Sequence, residues 1–181
     1  MRAIIVSGFC DSGKTTFINY LANIMKPWSI VVLQNEFGNV ELNEDIPKVE
    51  VFSCACCSVP KEDFIKYIKD IQDKYNPDVL IIEASYTSSP AVLKELLLST
   101  ELVEDNIVSY HVADVCNFIS HWKSLGDMYR AQVRESDIVV FAKYNLLEDK
   151  SKYPKVKDYL NEIIYNEDLN ITVHDMRDYI K

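Results

Sequence analysis

Apolar residues along this 181-residue chain fall into two alternating kinds of run. Short unbroken runs rich in β-branched residues predict strands at Ala3–Ser7, Ser29–Gln34, Lys48–Phe52, Val79–Glu83, Ile107–Ala113, Asp137–Ala142 and Asn170–Val173. Between them, apolar residues recur every three or four positions. That spacing predicts helices at Lys14–Met25, Lys61–Tyr75, Pro90–Ser99, Cys116–Glu135 and Lys152–Tyr165. Runs such as "VLII" and "IVVF" leave no polar face, as expected of strands covered on both sides of a parallel sheet. The order predicts an α/β fold, a three-layer sandwich around a mostly parallel sheet. In such sheets ligands bind beyond the carboxyl ends of the strands, so residues just after each strand become the candidates for function.

The first strand–helix junction is the most informative. Gly8-Phe-Cys-Asp-Ser-Gly13-Lys14-Thr15 fits GxxxxGK[ST], the phosphate-binding loop of nucleotide triphosphatases, with a strand before it and a helix after it. The chain has only four glycines, and two of them sit here. Glycine lets successive N–H groups turn inward around phosphate oxygens, and the following helix aims its positive end at the same anion. Gly8, Cys10, Asp11, Ser12, Gly13, Lys14, Thr15 and Thr16 are therefore candidate nucleotide contacts. Lys14 faces the outer phosphates, and the Thr15 hydroxyl is a ligand for Mg²⁺. Glu83, at the end of "VLIIE", stands where phosphate-loop proteins carry a second acidic group that holds Mg²⁺ directly or through water. After the second strand, "QNEFGN" offers Glu36 as a water-positioning or Mg²⁺-linked group and Gly38 as a pivot.

Cys54, Cys56 and Cys57 cluster after the third strand in "SCACCSVP". Thiolates so close suit partial coordination of a soft ion such as Zn²⁺. A redox dithiol at Cys54 and Cys57, or three small buried apolar residues, are the alternatives. The three histidines have no metal spacing with these cysteines; His111 falls inside a strand, where a satisfied core residue is expected.

Whole-chain properties narrow the partners. The length suits a single domain over residues 1–181 with no appended C-terminal domain. A net charge of −9 argues against nucleic acid and anionic membranes. No apolar run approaches a membrane span, no signal peptide precedes the first strand, and five cysteines suggest reduced thiols, so a cytoplasmic location is expected.

Taken together, "GFCDSGKTT", "QNEFGN", "CACC", "IIEASYTSSP", "HVADVCNF" and "QVRESDIVVFAKYNLLE" resemble, in order, the CobW/HypB/UreG group of metal-handling GTPases, and most of all its CobW-like branch. The resemblance implies a P-loop NTPase that acts as a metallochaperone or metallo-cofactor protein activator. It would use GTP with Mg²⁺ and carry Zn²⁺ or another soft transition metal on Cys54, Cys56 and Cys57. Its partner would be a client metalloprotein or corrinoid protein, with a homodimer as an option. Catalytic roles fall to Lys14, Glu36 and Glu83. Asp114 and Gln132 match family positions without an assigned chemistry.

The chain departs from the pattern in several places. The family's NKxD element is "AKYN" here, Ala142 to Asn145. The single carbonyl oxygen of Asn145 replaces a carboxylate that accepts two bonds from guanine, while the Lys143 stem still covers a purine face. GTP is the family default, and ATP is credible. Gln34 and Asn39 stand where relatives often carry acids. Asp11 places a carboxylate in the phosphate loop where relatives favour glycine, so it must point away from the phosphates or weaken affinity by repulsion. Two rival functions stay open. One is a small metabolite kinase closing Arg130 and Arg134, spaced i, i+4, over the transferred phosphate. The other is a non-hydrolysing, nucleotide-switched binding module.

Overall fold

The computed structural model describes residues 1–34, 41–50 and 61–179. Glu36, Gly38, Asn39, Cys54, Cys56 and Cys57 lie outside these residues.

Seven parallel strands form one sheet: β1 (Arg2–Ser7), β2 (Ile30–Gln34), β3 (Lys48–Glu50), β4 (Val79–Glu83), β5 (Val108–Asp114), β6 (Ile138–Ala142) and β7 (Thr172–Asp175), in the order β3-β2-β4-β1-β5-β6-β7. The helices are α1 (Lys14–Ile24), α2 (Lys61–Tyr75), α3 (Pro90–Leu98), α4 (Phe118–Ser124), α5 (Gly126–Arg134) and α6 (Lys152–Asn166), with short 3₁₀ turns at Tyr144–Leu146 and Met176–Asp178.

Alternation along the buried strands divides the core between the two faces of the sheet. Ile4, Val6, Val32, Ile81, Val112 and Val140 pack with Phe17, Ile18 and Leu21 of α1. On the other face, Ile5, Val31, Leu33 and Ile82 meet Phe64, Ile68 and Ile71 of α2 and Leu93 and Leu97 of α3. Ala113, Val139 and Phe141 meet Phe118, Trp122, Val133 and Leu160 of α4 to α6. With both faces covered, the strands lack a polar side, which explains the "VLII" and "IVVF" runs. The three-layer α/β expectation holds, and every strand pair described is parallel.

Two expected elements differ. The single helix expected over Cys116–Glu135 is two helices, α4 and α5, broken at Leu125, with Gly126 at φ +74°. The apolar spacing carries straight across that break, so periodicity alone does not reveal it. The last strand runs two residues later than expected, through His174 and Asp175, because β6 supplies pairing partners at Val140 and Phe141. Among the described residues no helix is long and apolar enough to cross a membrane.

Candidate nucleotide site

The parallel sheet delivers the carboxyl ends of β1, β2, β4, β5 and β6 to one edge, and the candidate residues gather there. Between β1 and α1 the chain turns at Gly8, where φ is +144°. A Cβ there would lie 2.4 Å from the Val112 carbonyl oxygen and 2.7 Å from Ser12 Oγ, so no other residue fits. Gly13 caps α1 in the left-handed region, φ +103°. The Lys14 side chain, almost fully buried, folds back over the loop and donates to the carbonyls of Gly8 and Phe9, both at 3.1 Å. Ser12 Oγ is buried without a hydrogen-bond partner among the described residues, as expected of a loop shaped to receive an anion. Cys10 and Asp11 are exposed, and Asp11 adopts φ +56°.

Behind the loop, Thr15 Oγ1 donates to Glu83 Oε1 at 2.8 Å, bringing together two groups 68 residues apart in sequence. Gln34 Nε2 donates to the other carboxylate oxygen, Oε2, at 2.9 Å. Glu83 is 1 % exposed. A hydroxyl and a carboxylate converging at the end of the loop form a hard-oxygen pair that suits Mg²⁺. Gln34, at a position where relatives often carry an acid, thus sets a donor against Glu83. A carboxylate in its place would set two acceptors against each other, whereas the amide donates.

A second patch follows β5 and β6. Lys143 takes a left-handed conformation, φ 64°, just before the Tyr144–Leu146 turn that carries Asn145. Its ammonium lies 3.2 Å from Asp114 Oδ2, and Asp114 also accepts from the backbone of Cys116 (2.9 Å) and from Asn117 Nδ2 (3.0 Å). Asp114 thus fixes the lysine that was expected to cover a purine. Ala142 replaces an asparagine of the family pattern and packs under the phosphate loop: a Cβ on Gly13 would sit 3.5 Å from Ala142 Cβ and 3.7 Å from Met176 Cε. The brace here is apolar. Lys150 Nζ donates to the carbonyls of Tyr144 and Asn145, and the Arg177 guanidinium, paired with Asp175, stacks 3.5 Å over the Tyr144 ring. Asn145 itself is exposed.

Beneath the loop, Ser7 Oγ lies 3.2 Å from both the Tyr110 carbonyl and His111 Nδ1. With the serine proton on the carbonyl, His111 donates from Nδ1, which leaves Nε2 as a buried acceptor without a partner among the described residues. Burial, with the nearby charges of Lys14 and His121, lowers the His111 pKa to about 3. Histidine 111 is therefore a neutral core residue, only partly satisfied. The expected lid arginines are engaged elsewhere: Arg134 forms a bidentate pair with Glu167, and Arg130 bonds the Trp122 carbonyl and Asp127.

Comparison with known proteins places this arrangement. The chain is 29% identical over 110 residues to the zinc chaperone YjiA of Escherichia coli, covering 55% of this chain and 35% of that protein. It is 24% identical to the zinc chaperone CobW of a Sinorhizobium species over 86% of this chain and 54% of that one. The chain thus spans about half, or less, of the length of these curated relatives. Among solved structures, HypB from Archaeoglobus fulgidus superposes with a TM-score of 0.60 at 13% identity, over 98% of this chain and 83% of that one. Zn(II)-bound YjiA superposes with a TM-score of 0.59 at 19% identity, over 86% and 53%. Both share the fold. A family model, CobW/HypB/UreG, nucleotide-binding domain, matches residues 2–170. The match runs from β1 through α6, taking in the phosphate loop and the carboxylate behind it, and the chain belongs to the CobW/HypB/UreG family.

Proposed function

We propose that this chain binds and hydrolyses a nucleoside triphosphate, GTP by family default, and couples that cycle to handling of Zn²⁺ or a similar soft metal for a client metalloprotein. The observation that carries the reading is the convergence of Lys14, Thr15 and Glu83 at one sheet edge. Lys14 neutralises the outer phosphates, and the loop amides before α1 surround them. Thr15 and Glu83 are the residues that would hold Mg²⁺, which when bound neutralises charge on the phosphate oxygens. Lys143, fixed by Asp114, provides the platform for the base. Glu36 and the thiols of Cys54, Cys56 and Cys57 are assigned to water positioning and metal carriage through the family resemblance. The relatives, zinc chaperones and zinc-regulated GTPase metalloprotein activators, favour zinc as the cargo.

The test is phosphate release and nucleotide affinity for GTP and ATP, with and without Zn²⁺, in the wild-type chain and in Lys14→Ala. Wild type should release inorganic phosphate, and the variant should lose triphosphate affinity at least ~10-fold while keeping its fold. Unchanged affinity in the variant would remove the loop from the site. Transfer to a metabolite instead of release would return the kinase reading.

A further inference from the structure

We propose that Gln132 is a positioning residue for nucleotide hydrolysis: it locks the turn that follows Glu83 and thereby fixes that carboxylate beside the phosphate loop. The inference rests on the reading of the chain as a triphosphate hydrolase. Gln132, on α5, is 2 % exposed. Its Nε2 donates to two carbonyls, Ser85 at 3.2 Å and Ser88 at 2.8 Å, which lie at the two ends of one turn closed by Ser88 N–H to the Ser85 carbonyl at 3.0 Å. Both partners are acceptors, so only one orientation of the amide satisfies them.

Glu83 is thereby held from both sides. Up to and including Glu83, β4 pairs with β1, and Ala84 N–H just beyond it continues that ladder to the Val6 carbonyl at 2.9 Å. On its C-terminal side the turn begins at Ser85, and the Gln132 amide closes it. The same turn carries Tyr86, whose ring meets Phe9 of the phosphate loop edge-on at 5.9 Å. Just past the end of α5, Glu135 accepts from Ser89 Oγ at 2.6 Å and Ala91 N–H at 3.3 Å, placing its charge at the N-terminus of α3. Gln132 and Glu135 together seat residues 85–91, the stretch running from the Glu83 carboxylate into the next helix. A group that must stay aligned during phosphate transfer needs its backbone fixed; the Ser85 hydroxyl bonds Thr87 and Ser88 at 2.9 Å within the turn, and Gln132 ties that turn to α5.

The experiment measures single-turnover hydrolysis, together with diphosphate and triphosphate affinity, in wild type, Gln132→Met and Gln132→Glu. Methionine keeps the volume and removes both donors. Hydrolysis should fall roughly 10-fold or more, with diphosphate affinity held within about twofold. Hydrolysis within twofold of wild type, or a parallel loss of diphosphate affinity, overturns the proposal. Glutamate presents a carboxylate to two carbonyls and is tolerated only when protonated. Its hydrolysis rate relative to wild type should therefore rise as pH falls from 8 to 6, and a flat ratio counts against the proposal. That ratio decides the matter should the methionine variant fail to fold. If wild type itself does not hydrolyse triphosphate, the hydrolase reading fails. Gln132 is then judged by the triphosphate-to-diphosphate affinity ratio, which should drop at least about threefold in the methionine variant, and an unchanged ratio overturns the role.

Discussion

Asp11 holds a left-handed conformation, φ +56°, that glycine adopts freely and aspartate tolerates through its short polar side chain. Its carboxylate is exposed at the rim of a loop built to bind anions. Replacing it by glycine removes both a like charge and the backbone restriction, so triphosphate affinity should rise roughly two- to tenfold at low salt. The gain should shrink as ionic strength increases, because exposed charges are screened within about 10 Å at 0.1 M salt. Titration of a fluorescent triphosphate at low and high salt reads both effects, and equal affinities at low salt would sink the argument. Single residues were legible here to different degrees. Gly8, Lys14 and Thr15 announce themselves through fixed spacing, and Glu83 through its place at a strand end. Gln34, Asp114 and Gln132 do not, since Glu83 lies 49 residues from Gln34, Lys143 lies 29 from Asp114 and Ser85 lies 47 from Gln132, and only the fold brings them together.

Among the elements, the junction of β1 and β5 is where a local chemical state bears on stability. Ser7 and His111 are register partners on these strands, and the imidazole packs edge-on against Tyr129 of α5. The groups facing it, Ser7, Tyr129, Lys14 and His121, include no carboxylate to stabilise a cation. Its folded pKa of about 3 lies well below the ordinary 6.5, so the unfolded chain takes up this proton first as pH falls. The contribution is whole above about pH 6.5 and is lost progressively down to about pH 3, with a limiting slope of roughly 1.4 kcal/mol per pH unit. Urea unfolding between pH 7.5 and 4.5 should show a shallower pH dependence in His111→Gln than in wild type, and parallel curves would refute the assignment. The same strands show why most of the fold could be read beforehand. Burial on both faces writes itself into unbroken apolar runs, whereas the break at Leu125 leaves the helical period intact and stays hidden.

At the scale of the whole sheet, parallel topology brings the carboxyl ends of the strands to one edge. The β3 strand runs parallel to β2, so its C-terminal end at Glu50 faces the edge that carries Lys14, Thr15 and Glu83. Cys54 follows four residues later in sequence, a reach of at most ~14 Å. Gln34, which holds Glu83, ends the neighbouring strand and leads into the Glu36 and Gly38 stretch. A metal on Cys54, Cys56 and Cys57 and a nucleotide on the loop would thus share the carboxylate-bearing edge, and linkage requires each to change the affinity of the other by the same factor. Zn²⁺ affinity measured under reducing conditions should differ roughly fivefold between triphosphate- and diphosphate-bound protein, a coupling of about 1 kcal/mol. Triphosphate affinity should shift reciprocally when Zn²⁺ is added. Serine at all three cysteines should abolish both the stoichiometric metal and the shift while leaving diphosphate binding intact. Unchanged metal stoichiometry in that variant would place the metal elsewhere. Metal that binds with one affinity in every nucleotide state would leave a carrier site without the coupling that makes a triphosphatase a metallochaperone.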